Sequence, residues 1–521
     1  MLVAFAACNV ASAQLIIDNA QFFIQPGATV TVQGDVTSNT DILGTGLLQM
    51  KGTALQNLNM NGFTIPNLEI DNVNHVALAG STRVSGVLTL TNGKLQLGAN
   101  NFTLTNTATL AGVPGASKFI ETNGTGQVIK LLTANVALLQ LPLGAGTSYR
   151  PVFISTTGTY ASASVGARVL GAADPNRPPK ISDYLSTYWP VTRAGITGTV
   201  TVTGQYAPTD VVGTEANLRG YFFNGTDWVS TGETHDAALN RVSVPVTTAT
   251  GEVAGMDKFV LARTKVFLQA LYNTTTGIMS YNLRTPTNLI PLTDPYRAAP
   301  YATNFTHVAN AFAETVPATV FANQPLTDNN IVDWVFLELR NTTGTPGANV
   351  LQTRSALLKR NGDVVDIDGT SPVTFNNTPN GSYTIAVRHR NHLGISADPV
   401  SNLKALAEAK STATPLDFTT LTDASIFGTS AAYAVSTNSR IMLWGGNANH
   451  NANVRYTGIQ NDKDIILADL GGASSLTGYY RADINLNRAL RYSGISNDKD
   501  FLLASVLASS SATTRIQQLP Q

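Results

Sequence analysis

Between residues 68 and 110, apolar and polar positions alternate in short runs, each stopped by Gly or Asn. The alternation assigns Val76/Leu78, Leu88/Leu90, Leu95/Leu97 and Phe102/Leu104 to the inward face of successive strands, with turns at Asn92-Gly93 and Asn100-Asn101. Short rungs at short intervals predict a β-solenoid-like unit over 14–115. A meander of hairpins is the competing arrangement, because Asn-Gly is also a two-residue hairpin signal.

From Ala116 the spacing lengthens, and FIETN, VIKLL, ALLQLPLG, YRPVFIS and ASASVGARVL read as successive strands. A long Thr/Val alternation follows Trp189, and Trp228 lies beyond an Asn-Gly turn. These features predict a β-sandwich over 116–263 with both tryptophans in its core; stacking on sugar rings is their alternative use. Over 264–400 the strands IVDWVFLELRN, SALLKRNGDVVDIDG and GSYTIAVRHRNHLG, bounded by Gly, Asn or Pro, have an immunoglobulin-like rhythm without a cysteine pair. A linker is expected over 401–439.

The last part of the chain repeats itself. RYTGIQNDKDIILA (455–468) returns as RYSGISNDKDFLLA (491–504), with ten of fourteen positions identical at an offset of 36 residues. Upstream, NANHNANVRY and DINLNRALRY place oxygen-bearing side chains at alternate positions, as the start of a calcium loop does at its first, third and fifth residues. Carboxylates are scarce there: Asn447, Asn449 and Asn451 are neutral, and the second copy has Asp483 followed by Asn485 and Asn487. The glycine usual at position six is Ala452 or Arg488, and Gly458 and Gly494 stand at position twelve, so the loop contains an insertion. Asp483, Asn485, Asn487, Asp498 and Asp500 therefore form a candidate calcium set of weak affinity. The alternative is structural: Asn461 and Asn497, each with an Asp three residues on, cap the helices that open IILADL and FLLASVLA, and the two apolar faces pack together.

Lys+Arg and Asp+Glu are both 33, and only 13% of residues are charged. No basic stripe is present to bind nucleic acid by counterion release. The opening MLVAFAACNVASAQ carries Ala11-Ser12-Ala13, which predicts a signal peptide over 1–13 cut before Gln14. Lipid attachment at Cys8 and a buried strand are the alternatives. Cys8 is the single cysteine, so neither disulfides nor a thiol nucleophile is expected after the cut. No later stretch has the roughly 20 uninterrupted apolar residues of a membrane span, so a transmembrane protein is not expected.

KVFLQALYN, IVDWVFLELR, RSALLKRNGDVVDIDG, AVRHRNHLG and the terminal RIQQLP together resemble a group of large secreted surface proteins of Bacteroidota, in which similar segments precede a degenerate, dockerin-like pair of repeats. The likeness covers roughly the second half of the chain, and it implies a secreted or cell-surface location and a module order rather than a reaction. The expected fold is thus mainly β and multidomain: a β-solenoid-like unit, a β-sandwich, an Ig-like β-sandwich and a small α-containing dockerin-like repeat at 440–521.

Other candidate chemistry is sparse. His389 and His392 are three apart, on opposite faces of a strand, and strand-end surface positions are expected for them unless a turn converges them on a metal. Asp363, Asp366 and Asp368 crowd a predicted hairpin, with a cation site as the alternative. No nucleophile elbow, zinc helix, phosphate loop or Cys-x-x-Cys pair occurs. Two functions follow: a non-catalytic adhesive or structural surface protein, whose partners are other extracellular proteins, copies of itself or surface glycans, and a polysaccharide-binding or polysaccharide-degrading one. A row of exposed aromatics or carboxylates on the solenoid would favour the second. No organic cofactor is indicated, and calcium is the one cation candidate.

Overall fold

A computed structural model describes residues 13–230, 234–322, 327–341, 350–409 and 415–520. The predicted signal peptide, apart from Ala13, lies outside these residues. They fall into two compact units, one running to Lys258 without residues 178–180, the other comprising those three residues and everything from Phe259.

The first unit opens as a three-sided solenoid-like stack. One side is a parallel sheet of Leu15–Ile17, Val36–Ser38, Gln56–Asn59, Val76–Leu78, Leu95–Gln96, Ile120–Glu121 and Leu143–Ala145. A second parallel sheet contains Thr29–Val32, Leu47–Met50, Asn67–Asp71, Val87–Asn92 and Thr109–Ala111. Register partners Gln56 and Val76 are 20 residues apart and Val76 and Leu95 are 19 apart, so each rung takes about one such interval. All four inward pairs expected from the alternation are buried. Asn92-Gly93 is a corner, not a hairpin, because the strands flanking it belong to different sheets. Gly93 has φ +75°, and a Cβ there would sit 1.8 Å from the Asn72 carbonyl oxygen of the rung below.

The stack does not stop at 115. Val128–Leu132 pairs in parallel with Phe102–Leu104 on one edge and antiparallel with Val152–Ala167 on the other. The third solenoid side therefore continues directly into an antiparallel sheet, led by the long strands Val152–Ala167 and Tyr184–Gln205. One hydrophobic core runs from Ile17 to Val253 across the expected boundary. Trp189 and Trp228 are buried, with their ring N–H groups donating to the carbonyls of Arg150 and Asn176.

The second unit is built on a sheet ordered His392–Ser396, Gly381–His389, Ile331–Arg340, Val350–Lys359, Asp363–Val365, Thr264–Lys265, Leu416–Asp417. All ten residues of Ile331–Arg340 are buried, including Asp333, Glu338 and Arg340. The described part of 401–439 is core rather than linker. Lys404–Leu406 pairs with Gly381–His389, and Phe418, Ile426, Tyr433 and Ala434 are buried. Its apolar residues come in short runs of irregular length, the longest at 431–435, between Thr, Ser and Asp turns, a pattern with no period to betray a packed segment.

Candidate functional site

The tandem loops at 447–462 and 483–498 repeat most of their bonding at the 36-residue offset, the first position (Asn447 or Asp483) excepted. In the first, Asp462 is fully buried; its Oδ1 accepts from the N–H of Ala448 (2.8 Å) and Asn449 (3.4 Å), and its Oδ2 from Arg455 N–H (2.8 Å). In the second, buried Asp498 accepts likewise from Ile484 (2.9 Å), Asn485 (3.3 Å) and Arg491 (2.8 Å). Each aspartate is the first residue of its helix, so it ties the helix start to the start of its own loop. The caps follow the sequence expectation: Asn461 Oδ1 accepts from Asp464 N–H (2.9 Å) and Asn497 Oδ1 from Asp500 N–H (2.8 Å). The caps are reciprocal, with each asparagine amide donating back to the same aspartate's carboxylate at 2.7 Å.

The middle asparagines close the loops. Asn485 and Asn487 both donate from Nδ2 to the Ser496 carbonyl, at 3.0 and 2.9 Å, while their Oδ1 atoms accept from Asn487 and Ala489 N–H. Asn449 and Asn451 do the same to the Gln460 carbonyl, at 2.5 and 3.2 Å. A backbone N–H can only donate, so each side-chain oxygen must face it and each amide must face the carbonyl. Two amide groups thus converge where a calcium loop brings oxygens to a cation.

Of the five candidate ligands, Asp483, Asn485, Asn487 and Asp498 come together and Asp500 does not. Asp483 accepts from Asn487 and Arg488 N–H, at 3.1 and 3.0 Å, and Asp498 holds its three loop amides. The exposed carboxylate of Asp500 is taken by Asn497 and Lys499. Burial pushes Asp498 up to about 8 against its backbone N–H donors, and Asp483 up to about 6 against the Arg390 charge and its own backbone donors; a divalent ion would have to displace these hydrogen bonds. This donor set fits a self-bonded loop rather than a calcium cage. In the first loop the buried Asn447 Oδ1 lacks a donor. Among the described residues no three His, Cys, Asp or Glu side chains gather as a metal site.

The loops are fixed to the sheet by the AVRHRNHLG hairpin. Asn391 alone registers both: its carbonyl accepts from Gly446 and Asn447 N–H at 3.0 Å each, and its amide donates to the Asp483 carbonyl at 2.8 Å. Arg390 donates to the Tyr480 carbonyl and lies over the Tyr479 ring, 4.0 Å from its centroid. His389 and His392 are not surface residues. The hairpin turn pairs them in register, their Nδ1 atoms 3.1 Å apart, and both are buried. His389 meets a carboxylate, not a metal: Asp333 accepts from His389 Nε2 (3.1 Å), Arg390 Nε (3.1 Å) and Tyr479 OH (2.5 Å), while His392 Nδ1 lies 2.9 Å from Asn391 Oδ1. Burial would raise Asp333, but the Arg390 guanidinium and the His389 and Tyr479 donors outweigh it and hold the carboxyl well below its usual range. Burial lowers both histidines, which therefore sit neutral.

The second acidic cluster also holds an internal cation. Asp366 and Glu314 flank the fully buried Arg354, with Asp366 Oδ1 2.6 Å from its Nη2, whereas Asp363 and Asp368 bond to Asn361 and to Thr370 and Ser371 in surface turns.

These features define a multi-sheet β protein whose solenoid-like opening leads into an antiparallel sheet and whose tandem loop–helix terminus is locked onto a second one. No family model, curated protein or solved structure matches the chain.

Proposed function

We propose that this is a non-catalytic extracellular surface protein, acting in adhesion or as a structural component of an extracellular assembly, with other extracellular proteins, copies of itself or surface glycans as partners. Under this reading the second unit combines an Ig-like β-sandwich with a degenerate dockerin-like pair whose loops bond to themselves. The observation that carries the reading is where the charges go. On the solenoid, Glu69 accepts from Gln49 and Thr91, and Asp71 pairs with Lys51 at 2.8 Å and accepts from Asn92. Carboxylates that could serve a substrate are spent on cross-rung ladders. The exposed aromatics described there are Phe23 and Phe63, too few for a sugar-stacking row. In the second unit the buried ions lock the sheet and loops together. No described helix is long and apolar enough to cross a membrane.

The test is a turnover screen over polysaccharides, peptides and esters, run beside attachment of the purified protein to cells and matrix polymers. Attachment without turnover is expected. Robust turnover abolished by one buried acidic substitution overturns the reading. Intact-mass analysis of the secreted product, expected to begin at Gln14, checks the export step.

A further inference from the structure

Beside Trp228 the antiparallel sheet of the first unit carries a cleft of about 300 Å³, at the small end of ligand-sized cavities. Pro190, Glu252 and Phe223 stand in one cross-strand row along it. The wall is polar and mixed in sign: Arg168, Glu252, Gln127, Asn176 and Thr192 line it around the half-buried ring of Phe223. Several of these side chains are already oriented by one another. Thr192 Oγ donates to Gln127 Oε1 (2.9 Å), which leaves the Gln127 amide as donor to the cleft, and Asn176 Nδ2 donates to Glu252 Oε2 (2.8 Å). Arg168 is anchored through one guanidinium nitrogen to the Gly124 carbonyl at 3.1 Å.

Behind Glu252 lies Asp174, 5% exposed, with Oδ1 held by Asn176 N–H at 2.7 Å and Oδ2 without a partner. Burial, joined by the adjacent Glu252 carboxylate, pushes Asp174 up to about 7 against the pull of that N–H. The charged side chains lining the wall itself are one carboxylate and one guanidinium, Glu252 and Arg168. Such a lining carries no net charge, offers both donors and acceptors, and adds one aromatic face.

We propose that this cleft binds a neutral, hydroxyl-rich ring of monosaccharide size, a terminal or branch sugar of a glycan. The hydroxyls of a pyranose both donate and accept, which matches the donors Arg168 and Gln127 and the acceptor Glu252, and its C–H face matches Phe223. The assignment rests on the glycan part of the proposed function but is tested separately: a protein that failed to attach to cells would still bind the free sugar.

The experiment is titration of the full chain with glucose, galactose, mannose, N-acetylglucosamine and galacturonate, followed by saturation-transfer NMR and calorimetry. At least one neutral sugar is expected to bind, and Phe223→Ala and Glu252→Gln are each expected to weaken it by more than about tenfold, the scale of one lost desolvated contact. Glu252→Gln keeps the side-chain shape, so it decides if Phe223→Ala fails to fold by circular dichroism. Absence of binding by every neutral sugar, preference for galacturonate through Arg168, or binding unchanged in Glu252→Gln overturns the proposal.

Discussion

Ala452 and Arg488 occupy the loop position that glycine usually fills, and both keep its conformation, with φ of 64° and 80°. A side chain in the left-handed region costs roughly 1–2 kcal/mol. Arg488 offsets some of this by donating to the Asn282 and Thr287 carbonyls, whereas Ala452 has only its methyl group. Ala452→Gly should therefore stabilise the protein by about 0.5–1 kcal/mol, read as a higher unfolding midpoint. An unchanged or lower midpoint would mean that the loop tolerates the strain without cost.

The neighbouring His450 makes the opposite kind of prediction. Burial and the Arg481 charge lower it to about 4; its ring packs on Tyr301 at 4.9 Å and its Nε2 lacks a partner. A base depressed in the fold contributes stability above its unfolded value of about 6.5, and loses it as pH falls towards 4, by at most about 3 kcal/mol. His450→Phe should flatten the stability profile between those pH values relative to the unchanged protein. Equal slopes in denaturant titrations at the two ends would rule out this residue as a source of acid sensitivity.

Among elements, the Ile331–Arg340 strand depends on partners distant in sequence, Arg390 and Tyr479 among them. Its Asp333 balances Arg390 in full burial, and breaking one side of such a pair costs roughly 3–5 kcal/mol because the other charge is left unpaired. Asp333→Asn is expected to lose that much, and Asp333→Asn with Arg390→Met to recover part of it. The same contacts explain what the sequence could and could not disclose. The inward pairs Val76/Leu78 and Phe102/Leu104, and the Asn461 and Asn497 caps, are local patterns set by strand period and first-turn bonding, so they could be read directly. The burial of His389 goes with its bond to Asp333, more than fifty residues away, and that of His392 with the hairpin turn that sets it opposite His389. The continuity of solenoid and sheet through Val128–Leu132 rests on one strand pairing in opposite senses on its two edges, which no periodicity records. The amide clasps of Asn485 and Asn487 were hidden for a similar reason: an asparagine at a ligand position shows its type but not which way its amide turns.

At the scale of the molecule, the duplication makes two halves that complete each other. The loop strand of the first copy, Asn453–Arg455, pairs with Thr514–Ile516, which follows the second helix. The loop strand of the second, Ala489–Leu490, pairs with Leu476–Thr477, which follows the first. Both helices feed one small core, in which Val454 and Ile466 of the first copy join Leu490, Leu502 and Val506 of the second and Leu393 of the hairpin. A half on its own would lack its paired strand and most of its apolar contacts, and helices this short are marginal in water alone. Leu502→Ala removes a fully buried side chain from this shared core and should cost roughly 2–5 kcal/mol. The location of the damage distinguishes interlocked halves from independent ones. In native-state hydrogen exchange, amides of 448–470 should lose protection together with those of 484–507, although the substitution lies in the second copy alone. Faster exchange confined to 484–507 would show two separate units, and the strand exchange would then be an incidental feature of the chain's end rather than the reason for its repetition.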